Sequence, residues 1–430
     1  MASLLMIADD FTGALDTGVQ FAASGVKTRV IVGGEVDLAA RGEAVPVLVI
    51  DAETRHLPPE QAYSVVEKLV RQAEALGVQY IYKKTDSALR GNVGAELTAL
   101  LRASGQRQLP FLPAYPKVGR TTQGGVHLIK GVPVAESVFG QDPFEPVRHS
   151  HVAQILGEQS GVPVYVSPAL KAEDPLPEED GILVFDGATE QELASTGQRL
   201  LQSGRLHIMA GCAGFGGALP GLLGLTCGKC VEMPKLDRRL LVICGSVNPI
   251  TVAQMEAAER SGIVRRQMTP EQKLQPGYWQ TNQGKRELAA LQDSVARYNP
   301  FILDTNDPGD SRLTQDYARC HGIDLDGIRL GISQTVGYLV SKLFPDPNVG
   351  TLLITGGDTL LQCMNYMGVD QVEPVCELSS GVVLSLVTYQ GHTRCVLTKS
   401  GGFGQETLVT DLARLLAGPE EMCKPQAVNA

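Results

Sequence analysis

The sequence predicts an α/β protein of two domains, each with a largely parallel sheet flanked by helices, and an active site in the inter-domain cleft. Three observations predict it. Apolar runs of strand length alternate with segments of helical periodicity along the chain. At 430 residues the chain exceeds what one hydrophobic core organises. The alternation is interrupted by the polar, turn-prone stretch Cys227 to Arg239 and then resumes, which sets a boundary near residue 235 and domains of 1–235 and 236–430.

In the first domain the predicted strands are Leu4 to Ala8, Arg29 to Val32, Val45 to Ile50, Tyr80 to Lys83, Phe111 to Pro113 and Ile182 to Phe185, with helices such as Pro59 to Ala75 and Val93 to Ala103 between them. In the second they are Leu240 to Cys244, Phe301 to Leu303, Leu352 to Thr355 and Val382 to Thr388. Helices are predicted at about Thr251 to Ser261, Arg286 to Tyr298, Ile328 to Leu343 and Glu406 to Leu416.

Hydrophobic content of 43%, charged content of 20% and 47 glycines describe a globular chain rich in tight turns. The net charge of -10 repels nucleic acid and anionic membranes, so neither is an expected partner. The same field repels anionic metabolites, so a site for them needs local basic pockets. No apolar stretch is long enough to span a bilayer, and the chain opens straight into a strand, so the expected location is the cytoplasm. The nine cysteines are scattered and suit buried positions in a reducing compartment. Cys227-Gly-Lys-Cys230 lacks a second ligand pair at zinc spacing and reads as a loop.

The first strand ends in Asp9-Asp10-Phe11-Thr12-Gly13, at the edge where open α/β sheets bind ligands. Asp9 and Asp10 can accept hydrogen bonds from substrate hydroxyls, take a proton or position Mg²⁺; the plainer role for one of them is to cap the following helix. Two further strands deliver Asp51 to Arg55 and Lys83 to Asn92 to the same edge. There Arg55, Lys84 and Arg90 can surround a carboxylate while Thr85, Asp86 and Ser87 address hydroxyls. Lys83, facing the other way along its strand, is open to a solvated reading. The basic, glycine-rich loop Pro113 to Gly125, with Lys117 and Arg120, can close over a ligand or stand as ordinary surface.

No G-x-x-x-x-G-K-[ST] occurs, so a P-loop is excluded. In its place three strands of the second domain run through glycines into helices: Gly245-Ser246-Val247-Asn248-Pro249, Thr355-Gly356-Gly357-Asp358-Thr359, and Lys399-Ser400-Gly401-Gly402-Phe403-Gly404. Helix N-termini of this kind favour phosphate, and three in one domain suggest a nucleotide. Gly211 to Gly217 departs from a dinucleotide fingerprint and reads as packing or hinge, and no G-x-S-x-G or H-x-x-x-H pattern occurs.

Taken together, Ile7-Ala-Asp-Asp-Phe-Thr-Gly-Ala with Asp16-Thr-Gly-Val, Lys83-Lys-Thr-Asp-Ser-Ala-Leu-Arg-Gly-Asn, Cys244-Gly-Ser, Thr355-Gly-Gly-Asp-Thr and Lys399-Ser-Gly-Gly-Phe-Gly resemble the four-carbon acid sugar kinases. The likeness runs in order from residue 5 to about 410. It implies ATP-dependent phosphorylation of the terminal hydroxyl of threonate, erythronate or 3-oxo-tetronate, with a sugar-acid domain at 1–235 and an ATP domain at 236–430. It also implies that Asp9, Arg55 and Lys84 to Ser87 contact the acid, and that Ser246, Thr355 to Asp358 and Gly401 contact ATP. Lys399 and Gly402 join the nucleotide set, and Asp10 and Arg90 the acid set, from the residues themselves. Asp9 is the first expectation for orienting or deprotonating the hydroxyl, with Asp86 and Asp10 behind it, and Mg²⁺ the expected companion of ATP. The Asp-Thr-Gly-Val-Gln continuation resembles the D-threonate kinases; D-erythronate and 3-oxo-tetronate kinases are the alternatives. A nucleotide- or sugar-acid-binding regulatory protein is the non-enzymatic alternative, and assembly as a homodimer is compatible with the sequence.

Overall fold

The computed structural model describes residues 2–33, 36–40, 45–142, 145–227, 233–309, 311–379, 381–399 and 402–417. The chain forms two compact units, Met1–Val231 and Glu232–Ala430. In the first, β1 (Leu4–Ala8), α1 (Phe11–Ala23), β2 (Thr28–Ile31), β3 (Val47–Asp51), α2 (Pro59–Ala75), β4 (Tyr80–Lys84), α3 (Val93–Ser104) and β5 (Gln108–Leu112) follow one another. A small antiparallel sheet comes next, made of β6 (Arg120–Gln123), β7 (Val126–Ile129) and β8 (Val132–Pro133). The unit ends with α4 (Val152–Gly157), β9 (Val164–Ser167), β10 (Gly181–Phe185), α5 (Glu190–Gln202), β11 (Ile208–Gly211) and α6 (Ala213–Leu222).

The large sheet of this unit runs β2-β3-β1-β4-β11-β5-β10-β9, and its neighbouring strands are parallel. Parallel strands covered on both faces read as unbroken apolar runs, and β1 and β10 are buried along their whole length. From β1 the chain steps to β2 and β3 on one side, then crosses to β4 on the other. The sheet therefore reverses direction at β1, and the carboxyl ends of β1, β3 and β4 meet at that switch point. One face carries α2 and α3, whose Val66, Leu69, Leu97 and Leu100 join the sheet residues Leu5, Ile7 and Ile81 in a single core. Helix α6 packs closely on α1: a Cβ at Gly216 would stand 2.6 Å from Thr17 Cγ2, so only glycine permits that approach.

The second unit contains β12 (Leu240–Cys244), α7 (Pro249–Arg260), β13 (Val264–Gln267), α8 (Pro270–Leu274), α9 (Asn282–Arg297), β14 (Phe301–Asp304), α10 (Leu313–Cys320) and α11 (Leu325–Leu343). After them come β15 (Thr351–Thr355), α12 (Gly357–Met367), β16 (Gln371–Ser379), β17 (Val382–Tyr389), β18 (His392–Lys399) and α13 (Leu408–Ala417). Five strands, β13-β14-β12-β15-β18, are parallel, and β17 and β16 extend them antiparallel. Register aligns Gln267, Asp304, Cys244, Thr355 and Lys399 side by side across the carboxyl edge. Local signals start the helices: Asn248 caps α7 through Ile250 N, Thr269 and Gln272 form a reciprocal box on α8, and Asp324 caps α11 through Gly327 N.

Candidate active site

Polar residues converge at the carboxyl ends of β1, β3 and β4. Asp9 is buried directly after β1, and its main-chain oxygen accepts from the Thr54 and Arg55 amides, which ties the β3 loop to it. Its Oδ2 accepts from Arg55 Nε at 2.8 Å and Nη2 at 2.6 Å, whereas Oδ1 is buried and accepts nothing among the described residues. Burial would raise the Asp9 carboxyl, but Arg55, Lys84 and Lys83 overcome it and hold the group below its ordinary value. Asp9 is thus a charged carboxylate with one oxygen fixed and the other unengaged.

Asp10 takes the plainer role weighed for the pair: its Oδ1 accepts from Gly13 N at 2.7 Å and caps α1, while Oδ2 pairs with Arg55 Nη1 at 2.6 Å. Asp86, expected as a second catalytic carboxylate, has both oxygens engaged by the protein. Its Oδ1 accepts from Arg90 Nη2 at 3.0 Å, and its Oδ2 accepts from Arg90 Nε at 3.0 Å and from the amides of Ala88 and Arg90. Burial works to raise this carboxyl, yet Arg90 and Arg55 hold it well below the carboxylate range. With both oxygens taken, Asp86 is suited to hold Arg90, and at 3.7 Å Arg55, in place.

Adjacent lysines on β4 point to opposite faces. Lys83 is fully buried against α3, with Nζ 3.0 Å from Glu96 Oε2 and 2.9 Å from the Lys84 carbonyl, which overturns the solvated reading. Glu96 in turn accepts from Thr54 Oγ1, so this buried pair anchors the β3 loop from beneath. Lys84 turns toward α1, where a Cβ at Gly13 would lie 2.7 Å from its Nζ; that glycine makes room for the ammonium. Lys84 donates to the Thr85 carbonyl at 2.8 Å, and Thr85 Oγ1 is buried with no hydrogen-bond partner among the described residues.

Several contacts here join residues remote in sequence, with Asp142, His127 and Phe139 among those the sequence did not single out. Asn92 Nδ2 donates to the carbonyls of Thr54 and Leu57 at 2.8 and 2.7 Å and sets the loop that carries Arg55. Asp142 accepts from Arg90 Nη1 at 3.3 Å. Arg120, on β6, donates to Ser87 Oγ, and His127 on β7 donates from Nε2 to the Ser87 carbonyl at 2.9 Å. Burial lowers His127 to about 4, so the ring is neutral near pH 7, and Nδ1 is left to accept from Thr122 Oγ1 at 3.0 Å. Arg90 and Arg120 both lie over the Phe139 ring, 5.2 and 5.0 Å from its centroid. The basic loop at 113–125 was the sequence signal for Arg120; nothing local pointed to Phe139. A cavity of about 340 Å³ opens beside Arg55 and Arg90, bounded by His56, Asn92, Glu145 and Gln159.

In the second unit the turns after β12 and β15 lie side by side. Gly356 has φ +95° and leads into α12, whose first turn has no side-chain cap, so its amides are open to an anion. At Gly245 a Cβ would come within 2.0 Å of Thr359 Oγ1, so the two loops approach only because this residue is glycine. Asn306 Nδ2 donates to the Ser246 carbonyl at 3.1 Å and fixes that loop from the end of β14. Ser246 and Gly357 are half-buried, Asp358 and Gly402 are exposed, and Thr355 is buried. Gly401 lies outside the described residues. Lys399, expected to reach the nucleotide, is wholly buried, with Nζ donating to Thr251 Oγ1 at 2.6 Å; burial lowers it to about 8. Its ammonium supports the sheet edge from within and is not presented at the surface.

Among the described residues no cluster of three or more His, Cys, Asp or Glu forms a metal cage, and no helix is long and apolar enough to cross a membrane. Asp358 is an exposed carboxylate at the start of α12 and could hold a divalent cation that a bound phosphate brings with it.

Fold and site together define an α/β protein with a cluster of charged residues at one sheet edge of its first unit and glycine turns that lead strands into helices in its second. Family models agree: one for a sugar-binding N-terminal domain matches residues 4–219, and one for a nucleotide-binding C-terminal domain matches residues 241–409. The D-threonate kinase of Salmonella typhimurium strain LT2 is 30% identical, over 95% of this chain and 97% of that protein. The D-erythronate kinase of Heliobacterium modesticaldum is 30% identical over 61% of each chain, and the 3-oxo-tetronate kinase of Methylobacterium radiotolerans is 24% identical over 93% and 95%. A crystal structure from Salmonella typhimurium LT2 shares the fold, with a TM-score of 0.78 at 21% identity over 96% of this chain and 99% of that one. The chain belongs to the four-carbon acid sugar kinase family, and it is a phosphotransferase with an alcohol group as acceptor.

Proposed function

We propose that the protein transfers the γ-phosphoryl group of ATP to the 4-hydroxyl of D-threonate, giving 4-phospho-D-threonate. The observation that carries the reading is Asp9: a buried, charged carboxylate clamped by Arg55 through Oδ2 and left with Oδ1 unengaged, at the switch point where ligands bind. That oxygen accepts a hydrogen bond from the acceptor hydroxyl, aims it, and takes its proton as the bond to phosphorus forms. Phosphoryl transfer asks little of a base, so a carboxyl held below its ordinary value serves as the orienting group. Thr85 Oγ1 and Lys84 Nζ flank the same place and meet further polar atoms of the acid.

The nucleotide belongs to the second unit, its phosphates on the open amides of α12 and the turn from Gly245 to Ser246, with Gly402 on the exposed turn after β18. Mg²⁺ supplies charge neutralisation on the transferring phosphoryl oxygens. The choice of D-threonate is supported by the Asp16-Thr17-Gly18-Val19-Gln20 segment and by the full-length similarity to D-threonate kinases. Cysteines at seven described positions, five of them buried, fit a reducing cytoplasm. The test is ADP release from ATP-Mg²⁺ with D-threonate, L-threonate, D-erythronate and 3-oxo-tetronate in parallel. The highest kcat/KM should fall on D-threonate; a tenfold preference for another acid would move the substrate assignment to that acid.

A further inference from the structure

Four cations stand at the acid site, and they are not equivalent. Arg55 is paired with Asp9 and Asp10, and Arg90 with Asp86 and Asp142, so both guanidinium charges are met by the protein's own carboxylates. Lys84 and Arg120 form no ion pair among the described residues. Arg120 is the more telling of the two. Only its Nη1 is engaged, on Ser87 Oγ; the Nε–Nη2 edge, the one that grips a carboxylate through two parallel bonds, donates to nothing among the described residues. Its position is nonetheless fixed. Phe139 supports the guanidinium face at 5.0 Å, and His127 anchors the main-chain carbonyl of Ser87, the residue whose Oγ receives Nη1. Burial pushes the Cys212 thiol up while Lys84 and Arg120 both act against it, which puts the two cations within electrostatic reach of one buried sulfur.

We propose that Arg120, carried into the site by the β6–β7 hairpin, binds the carboxylate of the acid through its Nε–Nη2 edge, and that Phe139 is the positioning residue that holds it there. The role given to Arg55 and Arg90 then changes: they orient Asp9 and Asp86 and do not grip the ligand's carboxylate. The proposal rests on the first unit being the acid site and deepens that reading by naming what distinguishes an acid from a neutral polyol.

The test compares two dead-end inhibitors, 4-deoxy-D-threonate and its primary amide, which differ in charge at C1 and lack the acceptor hydroxyl. Inhibition constants are measured on the intact wild-type protein and on the Arg120→Ala, Arg120→Lys and Phe139→Leu variants. The wild type should prefer the acid over the amide by roughly 10–100-fold, the range of a charge-assisted contact. Arg120→Ala should bring that ratio to within about threefold, Arg120→Lys should restore part of it, and Phe139→Leu should lower it while ATP affinity is unchanged. An acid-to-amide ratio that Arg120→Ala leaves at the wild-type value overturns the proposal, as does a variant whose kcat falls with that ratio intact, since Arg120 would then serve the phosphoryl group. Should Arg120→Ala fail to fold, Arg120→Lys carries the same comparison. A wild type that binds none of the acids defeats the sugar-acid reading itself, an outcome distinct from either.

Discussion

Asp9→Asn is the substitution whose consequences the structure defines best. The amide keeps the volume of the side chain and can still accept from Arg55, but it removes the negative charge. The buried Arg55 guanidinium is not stranded, because Asp10 stays at 2.6 Å and Asp86 at 3.7 Å. The stability cost should therefore sit near 1–2 kcal/mol, below the roughly 3–5 kcal/mol of a buried ion left without a partner. At about 2–4 °C per kcal/mol for a unit of this size, Tm should drop by some 2–8 °C. Catalysis should suffer far more. Losing a positioned proton acceptor removes about 10²–10⁴-fold in kcat, equivalent to roughly 2.7–5.4 kcal/mol of transition-state stabilisation. ATP affinity, which the proposed function assigns to the glycine turns of the second unit, should be unchanged within about twofold. Coupled ADP release reads the first effect and titration calorimetry with ATP the second. Asp10→Asn is the matched control, since asparagine also caps helices and the residue's other contact is with Arg55; it should retain turnover within about tenfold. Asp9→Asn turning over within threefold of the wild type would refute the assignment of the hydroxyl to Asp9, as would an ATP affinity that fell in step with turnover.

Lys83→Met should cost about 3–5 kcal/mol by leaving Glu96 buried and unpaired, read as a lower denaturation midpoint, and the double variant with Glu96→Leu should recover most of it. Gly245→Ala should abolish ATP binding while acid binding persists, because the new methyl would stand 2.0 Å from Thr359 Oγ1; titration of each ligand separates the two. Lys399→Met should stabilise the protein by roughly 1–3 kcal/mol at pH 7, where burial penalises the wild-type ammonium. The sign follows from a folded-state value lowered to about 8 against 10.5 unfolded. The penalty is complete below about pH 8 and is relieved as pH rises toward 10.5, so the Tm gap between variant and wild type should close over that range. A gap that widened would contradict the buried-cation account.

The parallel sheets were legible because continuous apolar runs such as Leu4 to Ala8 and Leu240 to Cys244 suit only strands covered on both faces. Pro59–Ala75 was equally plain, opening on proline at its first turn and carrying a steady apolar stripe. Shorter or half-exposed strands escaped: β6, β7 and β8 are two to four residues long, and β13 is partly exposed throughout. The strand at Val382 lies antiparallel in an otherwise parallel series, because the tight turn at Gln390 and Gly391 joins it to β18 as a hairpin.

Within the site, strand ends identified which residues meet, and Asp9, Arg55, Lys84, Asp86 and Arg90 do meet. What each does depended on partners remote in sequence. Lys83 is distinguished from Lys84 by Glu96 on α3, and Asp86 is occupied by Arg90, whose own second partner is Asp142. The Phe139 ring that seats both Arg90 and Arg120 comes from a segment with no signature of its own. The segment Asp304-Thr305-Asn306-Asp307 ends a strand in polar residues, as the others do, and the same reasoning applied there finds Asn306.

The central claim is that this chain carries phosphate from ATP to the terminal hydroxyl of a four-carbon sugar acid. Two-dimensional ¹H–³¹P correlation on the reaction mixture of protein, ATP-Mg²⁺ and D-threonate tests it most directly. The account predicts one new phosphomonoester coupled to the two C4 protons, formed in equal amount with ADP. Phosphate on C2 or C3, or ADP accumulating beside unmodified acid, would contradict it.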